Sequence, residues 1–435
     1  MMALGRKSAP AGGAHGGEPR IPADLWVLIA GALLVALGFG LVAPVLPQFA
    51  QSFNVSVTAA SVVVSAFAFC RLIFAPVGGT LIDRLGERKV YLTGLVIVAL
   101  STLATGLAQD YWQMLIFRGL GGLGSTMFTI SAAALLVRLA PVEARGRVSS
   151  YYASAFLIGN IAGPVLGGLL GALGMRIPFF IYAGALLIAT AVVAIFLREG
   201  RRRQPGDDAQ PPMLFSEAIR QARYVGALAG AFANGWCSFG MRVAIVPLFA
   251  AQAFDNGARI AGISLACFAV GTATVVLFAG RLADTLGRKP LIVVGFLITG
   301  VTVGTLGLVH NEWMFIALSV IAGMGGGILN PAQQAVVADV IGKERSGGKV
   351  MASYQMVQDA GTISGPIAAG LIVDKVGYDW AFAAAGAICV IVGIAWLGLP
   401  TVRPADRVTA DEVNESDDPS NVPRESGRRG VDSSL

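Results

Sequence analysis

Charge is scarce in this sequence. Of 435 residues only 13% are Asp, Glu, Lys or Arg, while 55% are hydrophobic, about half the charged share usual in a soluble globular protein. A water-facing surface of that size needs more polar cover, so a soluble multidomain protein is excluded. Histidine is limited to His15, in a polar leader, and His310, at a predicted helix end; neither suits a proton relay. The four cysteines (Cys70, Cys237, Cys267, Cys389) lie far apart in apolar stretches, which excludes a secreted disulfide scaffold and makes them reduced packing residues. No Cys/His cluster offers a metal site. No Gly-x-x-x-x-Gly-Lys-Ser/Thr loop offers a phosphate cradle, so ATP hydrolysis is not the energy source. The chain reads as no enzyme, with no cofactor.

What is present is long stretches without any charge. Residues 25–70, 90–109, 148–175, 177–197, 260–280, 313–338 and 380–402 contain no Asp, Glu, Lys or Arg. A bilayer-crossing helix needs roughly 20 mostly apolar residues. The first run is long enough for two, broken by Pro44, Pro47 and the polar stretch 51–58. Twelve spans are predicted, at 24–47, 58–81, 89–108, 111–138, 148–172, 177–198, 224–250, 258–281, 289–309, 312–339, 349–373 and 379–399. The runs lack period-2 alternation, which argues against a β-barrel. The first run is too long for a cleavable signal peptide and comes after the leader rather than opening the chain. The 56 glycines sit inside apolar runs and mark packing, not disorder. The fold class is an all-α integral membrane protein of twelve transmembrane helices.

The net charge of +6 carries topology rather than nucleic-acid affinity. With the N-terminus in the cytoplasm, 26 of the 32 basic residues fall on cytoplasmic segments, three (Arg176, Arg259, Lys375) on external ones, and Arg71, Arg118 and Arg242 inside spans. By the positive-inside rule both termini are cytoplasmic, in a multi-pass protein of the inner (plasma) membrane. The segment Arg201-Arg202-Arg203 suits contact with anionic lipid. The predicted organisation is a cytoplasmic leader 1–22, a six-helix bundle 23–198, a central loop 199–221, a second bundle 222–400, and a disordered cytoplasmic tail 401–435. A monomer is expected.

The two halves repeat at a shift of about 201 residues. Gly79-Thr-Leu-Ile-Asp83-Arg84-Leu-Gly86-Glu87-Arg88-Lys89 overlies Gly280-Arg-Leu-Ala-Asp284-Thr285-Leu-Gly287-Arg288-Lys289, and Trp112 overlies Trp313. Gly159-Asn-Ile-Ala-Gly163-Pro164-Val-Leu-Gly167-Gly168 overlies Gly361-Thr-Ile-Ser-Gly365-Pro366-Ile-Ala-Ala-Gly370. Parallel six-span repeats imply two pseudo-symmetric bundles around a central cavity, the architecture of an alternating-access transporter.

These residues carry a family resemblance. The loop after span two, with its second-half copy, resembles the Gly-x-Leu-x-Asp-Arg-x-Gly-Arg-Lys signature of the major facilitator superfamily. Span one (Gly38-Phe-Gly40-Leu-Val-Ala-Pro44-Val-Leu-Pro47), span four (Arg118-Gly-Leu-Gly121-Gly122-Leu-Gly124) and the span-five glycines are similar to motifs of its twelve-span drug:proton antiporters. Glu87, Thr285 and Gly121 depart from those patterns. The resemblance implies proton-coupled efflux of small amphipathic molecules. It assigns a gating latch to Gly79, Asp83, Arg84, Gly86, Arg88, Gly280, Asp284, Gly287 and Arg288, and proton coupling to Arg118. A metabolite or sugar exporter, an importer or a lipid flippase would share this scaffold, and a non-transporting membrane sensor is the rival from another class.

Local chemistry supplies a reason for each group. The signature needs a tight turn between helix ends, so glycines stand at 79 and 86. Gly159, Gly163 and Gly167 form one side-chain-free ridge, extended by Gly168, that admits a neighbouring helix; Pro164 lets the helix bend, and Gly361, Gly365 and Pro366 repeat the device. An intramembrane Arg is costly unless it is paired or hydrated, so Arg118 reads as functional, the more so because its repeat mate is Ser319. Among the acids only Asp359 lies deep in a predicted span; Asp24, at the start of span one, is the fallback. Burial favours the protonated form of a carboxyl and a nearby cation favours the ionised one, the balance a proton carrier needs. Arg242, Phe67, Tyr152, Asn160, Asn234, Trp236, Asn330, Gln333, Tyr354 and Gln358 are the candidate cavity lining, a mixture of aromatic and amide groups suited to amphipathic, often cationic, substrates.

Overall fold

A computed structural model describes residues 21–140, 144–197, 213–342, 345 and 347–400, without the side chains at 78, 79, 83, 137, 145, 146, 280, 281, 283 and 284. Most of the leader, residues 199–212 of the central loop and the whole tail 401–435 lie outside the described residues. The first half contains α1 (Ala23–Val42), a short α2 (Leu46–Gln51), α3 (Val57–Leu85), α4 (Glu87–Leu107), α5 (Tyr111–Leu139), α6 (Arg145–Leu173) and α7 (Ile177–Phe196). The second contains a one-turn α8 (Phe215–Ala218), α9 (Ala222–Asn234), α10 (Arg242–Ala253), α11 (Gly257–Leu286), α12 (Arg288–Thr305), α13 (Glu312–Ile341), α14 (Gly348–Val376) and α15 (Tyr378–Leu397). Among the described residues, twelve helical segments are long and apolar enough to cross a membrane, and they keep the predicted order.

The surface explains the composition. Leu173, Ile195, Leu277, Ile391 and many other large apolar side chains are exposed. In water such a surface would drive association; in hydrocarbon it is the favoured contact.

Helix ends are set by local chemistry that the two halves share. Gly86 (φ 86°) separates α3 from α4, and Gly287 (φ 83°) separates α11 from α12. A left-handed φ is nearly free for glycine and costly for other residues, so one residue suffices to turn the chain. Residue 79, read from sequence as a second turn glycine, lies inside α3, where the turn needs no help. At the starts of α5 and α13, Asp110 caps Gln113 N and Asn311 caps Trp313 N and Met314 N, again at equivalent positions. Span seven departs from the predicted continuous helix: a π-helical segment, Gly235–Met241, joins α9 to α10.

The described residues form two compact units, one within the bounds 1–46 and 66–203, the other within 47–65 and 204–435. In the first, α1 packs on α6 and α7, and α4 on α5 and α7. In the second, α11 packs on α13, α12 on α13 and α15, and α14 on the π-helical segment and α9. The second unit also holds the first turns of α3. Asp374, near the end of α14, accepts from Val57 N (3.0 Å), Thr58 N (3.0 Å) and the Thr58 hydroxyl (2.5 Å), so a carboxylate from a distant helix satisfies amides that α3 leaves open. Further along, the Ser65 hydroxyl donates to Ile363 O at 2.8 Å.

Candidate functional site

The signature residues are built around the two glycine turns. In the first unit, Glu87 opens α4 and forms an ion pair with Arg138 at the end of α5. In the second, Arg288 opens α12 and pairs with Asp339 of α13. These positions are equivalent at the shift of 201, so the second half keeps the pair with its charges exchanged. Glu87 is therefore a paired residue rather than a gap in the motif. The next residues match too: Arg88 donates to Ala194 O (2.6 Å), and Lys289 to Leu397 O (2.8 Å) and Leu399 O (2.7 Å). Each cation ties the start of one helix to the final carbonyls of another, where the helix dipole favours positive charge. Arg84 is exposed, and the side chains of Asp83 and Asp284 lie outside the described set.

The glycine ridge of α6 faces α1. A Cβ on Gly159 would stand 2.7 Å from Ala36 Cβ, one on Gly163 2.9 Å from Gly40 Cα, and one on Gly167 2.8 Å from the carbonyl carbon of Leu41. Pro164 fills the space over Gly40, whose own Cβ would lie 2.7 Å from the proline Cδ. In the second unit Gly361 and Gly365 of α14 meet Trp236 on span seven, and Pro366 stands over Gly240 in the same way. Gly168 is buried beside the first ridge.

Among the described residues, two guanidinium groups are almost wholly buried, Arg118 (7% exposed) and Arg242 (3%). Arg118 of α5 lies over the ring of Phe67 on α3, 4.3 Å from its centroid. Arg242 lies over Phe268 on α11, at 3.8 Å. Phe67 and Phe268 are equivalent at the 201-residue shift, yet their cations arrive from different helices. The rings spread partial negative charge over the guanidinium faces. They do not satisfy its N–H groups: Arg118 Nε, Arg242 Nε and Arg242 Nη1 are buried with no hydrogen-bond partner among the described residues.

The remaining candidates fall into pairs. Asn234 Nδ2 donates to Asn330 Oδ1 at 2.6 Å, and the Tyr354 hydroxyl to Gln333 Oε1 at 3.0 Å, both of the latter residues being buried. Gln358 accepts from Gln355 Nε2 at 3.3 Å. Trp236 packs on Phe232 and Tyr152 on Phe156, with ring centroids 5.8 and 5.2 Å apart. Asn160 is exposed on α6. Asp359 is partly buried near the middle of α14, and Asp24 is likewise partly buried, in the first turn of α1. Sequence reasoning missed Phe268, although it is the repeat mate of Phe67. It also missed Ser238, the π-helical segment and Asp374, whose partner lies more than 300 residues away.

Comparison with known proteins agrees with the twelve-helix fold. The pattern of the Major Facilitator Superfamily matches residues 28–254 and again 227–428. The chain is 27% identical over 380 residues to multidrug resistance protein 1 of Bacillus subtilis, covering 86% of this chain and 96% of that protein. It is 26% identical over 342 residues to the class B tetracycline resistance protein of Escherichia coli, covering 77% and 84%. In fold it is similar to a bacterial homolog of the human lysosomal transporter Spinster, with a TM-score of 0.74 at 17% identity over 88% of this chain and 97% of that one.

Proposed function

The chain belongs to the major facilitator superfamily, and from that premise we propose that it exports small amphipathic molecules in exchange for protons, by alternating access. It is a multi-pass membrane transporter and not an enzyme. The names of the relatives, multidrug and tetracycline resistance proteins, support the direction and the substrate class.

The observation that carries the coupling is Arg118. A guanidinium inside a membrane helix is costly, up to about 2.5–3.5 kcal/mol at the centre on insertion scales. This one is buried, lies over Phe67, keeps an unmatched Nε, and has Ser319 as its repeat mate. Packing symmetry gives no reason for such a residue, whereas coupling does. Asp359 is the proposed proton carrier, with Asp24 the alternative. The orientation follows the basic loops: both termini and the turns at Gly86 and Gly287 face the cytoplasm of a bacterial inner membrane, and the protein works as a monomer. The signature around those turns acts as a releasable latch, and the ridge Gly159–Gly163–Gly167 as a close-packed pivot.

The test uses inside-out vesicles from cells overproducing the protein, with an imposed pH gradient, acid inside, and a fluorescent drug-like dye outside. Export predicts gradient-dependent accumulation, abolished by a protonophore and reduced at least about tenfold, some 1.4 kcal/mol in apparent coupling, in Arg118→Gln. Accumulation that ignores the gradient, or dye movement only in right-side-out vesicles, would refute the reading.

A further inference from the structure

Span seven carries a row of buried polar atoms with nothing to bond. Asn234, Ser238 and Arg242 are 1%, 7% and 3% exposed. Asn234 Oδ1, Ser238 Oγ, Arg242 Nε and Arg242 Nη1 have no hydrogen-bond partner among the described residues. The three residues succeed one another at four-residue intervals through the π-helical segment Gly235–Met241. An α-helix turns in 3.6 residues and a π-helix in more, so this spacing across the mixed segment keeps the three side chains near one face. π-Helical turns inside α-helices are found frequently at functional sites.

The energetics point the same way. Each unmatched buried polar group costs about 1–3 kcal/mol, more when it is charged. A folded protein rarely carries three in a row without a use for them. The largest unmet demand is that of Arg242, and it is for an acceptor with negative charge, because a guanidinium donates only in its own plane and the ring of Phe268 occupies its face. The same contact alters the expectation drawn from composition. At the two equivalent positions, one face of Phe67 and one face of Phe268 already hold the protein's own cations, which repel a second cation brought near the same ring.

We infer that Arg242 and Ser238 receive an anionic group of the substrate, and that this protein therefore carries amphipathic anions. The inference rests on the export reading and names its substrate class. Asn234 lies eight residues earlier on the same face, about two turns along the axis, and its unmatched carbonyl oxygen suits a hydroxyl or amide N–H elsewhere on the same molecule. A carboxylate or sulfonate with such a donor satisfies the whole row; a permanently cationic compound satisfies none of the donors.

Three matched probes test this on the purified full-length protein: a naphthalene sulfonate, a naphthalene carboxamide and a naphthyl trimethylammonium. Their affinities are read from ligand-dependent thermal shifts, and dye transport by the same preparation in liposomes is measured alongside. The sulfonate should bind about tenfold or more tightly than the carboxamide, and the ammonium most weakly. Arg242→Gln should remove the preference for the sulfonate, and Ser238→Ala, the milder change, should reduce it several-fold. Wild-type protein that binds the ammonium as well as the sulfonate, or binds no probe while still transporting dye, overturns the inference and leaves export standing. Wild-type protein that transports no dye overturns export, and this inference with it.

Discussion

Glu87 forms an ion pair with Arg138 at the pair of positions where the second half joins Arg288 to Asp339. The polarity is reversed but the architecture is kept: a helix start is tied to the end of the following helix beside a glycine turn. Both partners of the first pair are only about a fifth exposed (17% and 20%), so its loss leaves a charge that water reaches poorly. Glu87→Gln should destabilise the detergent-purified protein by about 1–3 kcal/mol, between the values for exposed and for buried pairs. The double variant Glu87→Arg with Arg138→Asp, which copies the other half, should recover most of the lost thermal stability. A double variant no better than the single one would show that the contact is incidental.

Glycine substitutions should divide sharply by position. A Cβ on Gly163 meets Gly40 of α1 at 2.9 Å, whereas one on Gly184 meets nothing within 4 Å. Gly184→Ala should be neutral or stabilising by up to about 1 kcal/mol, because alanine loses less entropy in a helix. Gly163→Leu should cost at least about 1–3 kcal/mol through overpacking and abolish dye flux. Normal transport by Gly163→Leu would mean that α1 and α6 do not need their close approach.

Much of this architecture is legible in the sequence, and the reason is physical. Hydrocarbon tolerates few charges, so charge-free runs trace the spans and leave Arg118 and Arg242 conspicuous. The duplication exposes Gly86 with Gly287, and aligning the ends of α5 and α13 as closely as the signature exposes Arg138 with Asp339 as well. What stays hidden has no hydropathy signal. The π-helical segment differs from α-helix only in its hydrogen-bond partners, and Gly235–Met241 is as apolar as its flanks. Gly79 looks like a turn residue because glycine serves turns and helix packing alike. Asp374 sits at a span end like several other acids, and sequence alone does not reveal that the amides it satisfies belong to Val57 and Thr58.

That cap makes its own prediction. Asp374 adds to the local N-cap Ser56, whose hydroxyl accepts from Ala59 N at 3.2 Å, and takes three further donors at once. Asp374→Ala should cost about 1–2 kcal/mol, in the upper range for helix caps, seen as a lower unfolding temperature in detergent. Asp374→Asn, with a single carbonyl oxygen left to accept, should fall between wild type and alanine. Equal stability of all three would show that water caps α3 as well as the carboxylate does.

A substitution at Asp359 tests whether coupling can be separated from binding. It is partly buried near the middle of α14, three residues from Thr362, which donates to the π-helical carbonyl of Gly235 at 3.4 Å. Asparagine has the shape of a protonated carboxyl but cannot release the proton. If Asp359 carries the proton, Asp359→Asn should hold the protein in a state equivalent to the protonated one. Accumulation driven by a pH gradient should then fall to the level of empty liposomes. Exchange of labelled for unlabelled substrate, which moves no net proton, should continue at a rate within a few-fold of wild type. Binding should likewise lose its pH dependence while keeping its strength. Gradient-driven accumulation at the wild-type rate would remove Asp359 from the proton path and pass the role to Asp24, for which the same pair of measurements on Asp24→Asn decides.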